Sequence, residues 1–199
     1  MSRTAALMLA LAVLAAGVLA AGSSGAGRSS GSVRVSRSSS ALFAHALADA
    51  LASQMKRGQY IIVPCRPADP IVGIWLKETK AYIPKRYPRM QLAGVVYGGT
   101  GNGDSGTLVL SPLLKAHPDL RGLIFLCQAE SDAGPPQLIK AHLVGKVFTV
   151  GQEQPCPPLN SADAWNVRRA DEEIVCNGNP PGSIAPLTIT RANVSKYTG

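Results

Sequence analysis

The sequence predicts an α/β fold in which a doubly wound parallel sheet carries helices on both faces. Between residues 46 and 154, apolar runs of four to six residues are each followed by a loop and then by a segment of helical periodicity. That strand, loop, helix rhythm is the pattern of a parallel sheet with crossover helices. The composition agrees, because few aromatics and many Ala and Val suit the packing of helices on a sheet.

The first helix is predicted over residues 38–55. Leu42, Phe43, Ala46, Leu47, Ala50 and Leu51 recur at spacings of three and four, and the serines before them can cap it. Lys56-Arg57-Gly58 ends it, with cations in the last turn and glycine just beyond. A short buried strand follows over 60–64, then a helix centred on 74–83 and a strand over 90–97. The glycine-rich loop of 98–106 leads into a third helix at 108–115, closed by Pro118, with Asp104 or Ser105 as its expected cap. Residues 122–127 form the next strand, 136–143 a short helix, and 146–150 the fourth strand. Beyond Gln152 the pattern decays, since Pro155, Pro157 and Pro158 interrupt regular structure. Short strands are expected there at 172–176 and 186–190 in an otherwise irregular tail.

Four segments result. Residues 1–22 have a basic start, a Leu/Ala-rich core and small residues at the end, the features of a secretory signal peptide. An uncleaved signal anchor is the alternative. Residues 23–40 are Gly, Ser, Ala and Arg with almost nothing apolar, a flexible tether that cannot offset the entropy of ordering. Residues 41–154 form the α/β lobe and 155–199 the Pro-rich tail. The chain is read as periplasmic or secreted, with no stable membrane span after cleavage of the leader.

The formal net charge of +8 raises nucleic acid or an anionic surface as a partner. Its distribution argues against nucleic acid. Arg28, Arg34 and Arg37 lie in the tether, and Lys77, Lys80, Lys85, Arg86 and Arg89 decorate one amphipathic helix and its exit. No basic stripe is interleaved with aromatics. Gly103-Asp-Ser-Gly106, with His45 and Asp69 upstream, has the order of a serine-hydrolase triad. The spacing is too short for two β-barrels, and His45 lies in a helical pattern, so no catalytic residue is assigned. The same loop lacks the Gly-Lys-Ser/Thr ending of a P-loop. No Cys-x-x-Cys or nearby His pair indicates a metal site, and no cofactor is expected. Asn193-Val-Ser195 is a glycosylation acceptor pattern.

Several phrases keep a common order along the chain. They are Ala50–Met55, Gly58–Val63, Ile74-Trp-Leu-Lys77, Lys85-Arg-Tyr-Pro88, Val95-Val-Tyr-Gly98, Leu113–Ile124, Gly145–Gly151 and Ile189–Tyr197. Together they resemble the periplasmic sugar-binding proteins of ABC importers (type I periplasmic binding proteins), in particular the branch that binds rhamnose and autoinducer furanoses. The resemblance covers one Rossmann-like lobe of a two-lobed family that closes on a sugar at its hinge. It implies a small sugar as ligand and an ABC permease complex as partner. A homodimer that covers the exposed cleft face is a further expectation.

The resemblance also places a ligand site at the carboxyl ends of the strands. The family carries an Asp or Asn shortly before the tryptophan. Here Ile71-Val-Gly-Ile74 precede Trp75, and Asp69 is two positions early. Asp69, Gln128 and Gln152 are the candidate ligand-binding residues. The alternatives are that Asp69 caps the next helix and that each glutamine is a solvent-facing loop residue. The family's strand order, 2-1-3-4-5, puts the first and third strands side by side about 4.8 Å apart. Cys65 and Cys127 end those strands, and in an exported chain they are expected to pair, leaving Cys156 and Cys176 as a second pair.

Overall fold

A computed structural model describes residues 37–98, 109–153, 158–176 and 185–198. The signal-peptide segment, most of the tether, the Gly-rich loop with Asp104 and Ser105, and Cys156 lie outside the described residues. The elements are α1 (Arg37–Met55), β1 (Gly58–Val63), α2 (Pro70–Arg86), β2 (Met90–Val95), α3 (Leu110–Ala116) and β3 (Leu120–Phe125). Then come α4 (Gln128–Lys140), β4 (Phe148–Glu153), α5 (Ser161–Ala170), β5 (Glu173–Cys176) and β6 (Leu187–Ile189), with a final 3-10 turn at Val194–Lys196.

The sheet order is β2-β1-β3-β4-β5-β6, parallel throughout except for the antiparallel β6. The doubly wound order expected from the sequence is therefore present. Strand alternation sorts the core into two faces. Tyr60, Ile62, Ile124, Leu126, Val150 and Val175 pack with Phe43, Leu47 and Leu51 of α1 and with Val72, Trp75 and Ile83 of α2. On the other face Ile61, Val63, Leu123 and Phe125 meet Leu110 and Leu113 of α3 and Leu138 of α4. Farther along that side, Ala164 and Val167 of α5 pack with Ile174, Cys176 and Ile189. Of the apolar residues that predict α1, Leu42 is the one turned to solvent, at 43% exposure.

The element boundaries, compared with the sequence reading, follow from the packing. Helix α1 matches its predicted span to within one residue, so residues 37–40, also counted in the tether, belong to the helix. The stretch read as an irregular tail instead supplies α5 as well as the two expected strands, and so completes the sheet. Helix α4 starts at Gln128 rather than at 136 and contains Pro135 and Pro136. Those prolines cannot donate to the carbonyls of Ser131 and Asp132, four residues earlier. The side-chain amide of Asn166 on α5 donates to both, at 3.0 and 3.3 Å, and so replaces the lost bonds. The cap of α3 also differs. Its N-cap is Val109, without a side-chain bond, and the Leu110 N–H donates instead to Oε1 of Gln137 at 2.9 Å.

Candidate functional site

All five parallel strands point their carboxyl ends to one side, where loops and helix starts converge. Cys65, just past β1, and Cys127, just past β3, are joined there by a disulfide with Cα atoms 5.7 Å apart. The neighbouring positions of β1 and β3 in the sheet bring them together, as the strand order implies. The Cys65 N–H lies 3.2 Å from Sγ of Cys127. The carboxylate of Glu130 lies beside the two sulfurs. Because both thiols are consumed in the bridge, this group is not a metal site.

Asp69 caps α2. Its Oδ1 accepts from the Ile71 and Val72 N–H groups at 2.9 and 3.0 Å, and Pro70 occupies the first helical position. This is the pre-organised helix start that Asp-Pro encodes. Gln128 opens α4 and donates from Nε2 to Oε1 of Glu153, at the end of β4, at 3.1 Å. Gln152 is buried, and its Oε1 has no partner among the described residues. It lies two residues beyond Val150 and so falls on the α1 face, away from Glu153. The structure thus places Gln128 beside a carboxylate at the mouth of the sheet, Asp69 at the start of α2, and Gln152 on the face of β4 opposite Glu153.

Glu153, Asn160 and Asp163 were not legible as a site in the sequence, and they form its centre. Asn160 is the N-cap of α5, accepting from the Asp163 N–H at 2.9 Å. Its Nδ2 donates to Oδ2 of Asp163 at 2.9 Å and lies 3.4 Å from Oε1 of Glu153. The signal that points to them is Asn160-Ser-Ala-Asp163, a cap residue followed three positions later by an acid. Behind them Ser131 donates to Oε1 of Glu172 at 3.0 Å. Gly151 permits this approach, since a Cβ there would collide with the Ser131 hydroxyl.

The result is a group of carboxyls at α4 and α5, made of Asp132, Glu153, Asp163 and Glu172, with Glu130 apart beside the disulfide. Glu130, Asp163 and Glu172 are fully buried and Glu153 nearly so. Burial pushes Asp163 up to about 11, reinforced by its hydrogen bond to Glu153 and by the charges of Glu153, Glu172 and Asp132. Burial likewise raises Asp132 and Glu153, and holds Glu172 well above the usual carboxyl range. Glu130 is raised by burial, with its own backbone N–H and Arg66 pulling it back. Protons shared among close carboxyls keep such a group neutral enough to stay in the core. Chemically the mouth of the sheet offers amide donors and carboxyl oxygens in a dry setting, which suits hydrogen bonding to hydroxyls.

The fold is that of the solute-binding proteins of sugar ABC transporters. The chain is similar in structure to a sugar ABC transporter protein of Actinomyces odontolyticus, with a TM-score of 0.66 and 17% identity over 80% of this chain and 64% of that one. It is also similar to a carbohydrate transporter solute-binding protein of Agrobacterium radiobacter in complex with D-arabinose. There the TM-score is 0.64 at 13% identity, covering 82% of this chain and 63% of that one. A periplasmic solute-binding protein of Actinobacillus succinogenes with bound D-allose gives 0.65 and 13%, over 80% and 62%. The chain spans less than two thirds of the length of each. No family model and no curated protein sequence matches it.

Proposed function

We propose that the chain is an exported, non-catalytic receptor lobe that binds a small sugar or furanose for ABC-type import. The observation that carries this reading is the polar group at the mouth of a sugar-binding-protein fold. Gln128 and Asn160 bracket Glu153 at the carboxyl end of β4, with a disulfide holding the adjacent loops. The neighbours in structure include proteins with D-arabinose and D-allose bound. Such a site needs a second wall to enclose a polar ligand. A second copy of the chain, placed mouth to mouth, is the simplest source. Among the described residues no helix is long and apolar enough to cross a membrane. Periplasmic or secreted localisation belongs to this reading. Asp69 and Gln152 belong to it less directly, because Asp69 already caps α2.

A second reading has its own support. Gln128, Asn160, Glu153 and Asp163 spend hydrogen bonds on one another, as the polar groups of a lobe without a ligand would, although Oε2 of Glu153 and Oδ1 of Asp163 have no partner among the described residues. On that reading the chain is a degenerate lobe that serves as an interaction module. Amide shift mapping by NMR with D-arabinose and rhamnose separates the two. Saturable shifts centred on Gln128, Glu153 and Asn160 support the receptor. An unchanged spectrum from the folded, oxidised chain supports the degenerate lobe.

A further inference from the structure

The opposite end of the sheet carries a second feature that sugar binding does not use. A depression of about 750 Å³ lies at the amino ends of β1, β2 and β3, lined by Arg57, Arg89 and Arg121 together with Gln59 and Gln91. Each arginine stands at the start of a different strand. Arg57 immediately precedes β1, Arg89 immediately precedes β2, and Arg121 is the second residue of β3. These strands are adjacent in the order β2-β1-β3; the register sets Arg57 level with Arg89, and Arg121 lies across from the step between Gln59 and Tyr60.

Local backbone geometry draws the three together. The Gly58 N–H donates to the Arg89 carbonyl at 3.1 Å, which ties the starts of β1 and β2. Gly58 itself has φ +114°, and a Cβ there would meet Cγ of Arg121 at 2.7 Å. The stem of Arg121 therefore crosses the start of β1 over a residue that has no side chain. Gln59 and Gln91 are register partners on β1 and β2 and add paired amides to the same depression.

Among the described residues none of the three guanidinium groups has a hydrogen-bond or ion-pair partner. Asp119 is the one carboxylate in the lining, against three permanent cations. Helix C-termini on this side of the fold favour positive charge in general. They do not account for the convergence of three unpaired guanidinium groups and two amides on one depression. Planar guanidinium groups match tetrahedral oxyanions with paired N–H donors.

We propose that this depression is a binding site for a phosphoryl group, free or as a monoester, held by Arg57, Arg89 and Arg121 with Gln59 and Gln91 completing the donor set. The test is calorimetric titration of the full oxidised chain at low salt, with inorganic phosphate in one arm and glycerol phosphate in the other. Saturable one-to-one binding is expected. Binding of phosphate alone identifies a free-ion site, and equal binding of both identifies a monoester site. The triple variant R57Q/R89Q/R121Q should weaken binding about tenfold or more, while K77Q/K80Q/K85Q, which removes equal charge from α2, should leave it unchanged. R121K keeps the charge and loses the fork, so it should weaken binding without altering the fold. Non-saturable heat, or an equal loss in the lysine variant, would overturn the proposal by showing only general attraction to a basic protein.

Discussion

Asn166 stands in for a hydrogen bond that Pro135 cannot make. The Ser131 carbonyl, four residues before that proline, accepts from the Asn166 amide at 3.0 Å, and the Asp132 carbonyl, four before Pro136, accepts from the same nitrogen at 3.3 Å. One side chain on α5 thus repairs the proline break in α4 and fastens the two helices together. Asn166→Ala would strand two carbonyls in the core, and Asn166 itself is 1% exposed. The expected cost is about 2–3 kcal/mol of stability, read as a lowered urea midpoint with an unchanged slope.

The Cys65–Cys127 bridge closes a separation of 62 residues. A crosslink over a loop of that size stabilises by up to about 4 kcal/mol, chiefly through the unfolded chain. Urea unfolding of the oxidised protein and of C65S/C127S should differ in that direction. Cys176 is also disulfide-bonded. Peptide mapping of the unreduced protein is expected to return Cys65–Cys127 and Cys156–Cys176, and any crossed pairing would refute the arrangement.

The buried carboxyls make stability depend on pH with a definite sign. Asp163, at about 11, binds its proton more tightly folded than unfolded, and Glu173 is raised to about 7 by burial. Their contribution is fully present below the unfolded carboxyl value, about 4, and is lost as pH rises through the folded values. Thermal unfolding should therefore show higher stability at pH 5 than at pH 8. Asp163→Asn keeps the neutral form at every pH, so it should flatten this decline.

Two glycines make opposite predictions. Gly151→Ala drives a Cβ into Ser131 and Glu172 and should cost about 1–3 kcal/mol. Gly73 lies in α2 with open space around it, so Gly73→Ala should stabilise by up to about 1 kcal/mol. Thermal melts of the two variants check both directions at once.

Asp69→Ala tests a residue that carries two readings. Its cap on α2 predicts a loss of about 1 kcal/mol in stability. A loss of sugar affinity beyond that, measured on protein shown to be folded, would add a direct ligand role.

The elements read from the sequence were those built from local apolar runs. Residues 60–63 and 122–125 are continuous apolar or glycine stretches buried on both faces, and the fold around them follows from their spacing. The disulfide followed from the strand adjacency that the resemblance implied. Helix α5 was hidden because its core contribution is small and its start lies close to several prolines, although Asn160 and Asp163 carry its cap. The start of α4 was hidden for a different reason. Its prolines are tolerated only because Asn166, some thirty residues away in sequence, meets the carbonyls they leave open, and no local pattern encodes that. The carboxyl group running down from the mouth was equally non-local, since Glu153, Asp163 and Glu172 come together only when β4, α5 and the start of β5 pack.

The central claim is that this mouth binds a small sugar, and calorimetric titration of the oxidised chain tests it most directly. D-arabinose and rhamnose should each be tried against the wild type and Glu153→Gln. Saturable heat in the micromolar range is expected for at least one sugar, weakened about tenfold or more by Glu153→Gln. No heat at millimolar sugar from protein with an intact fold and both disulfides formed would contradict it.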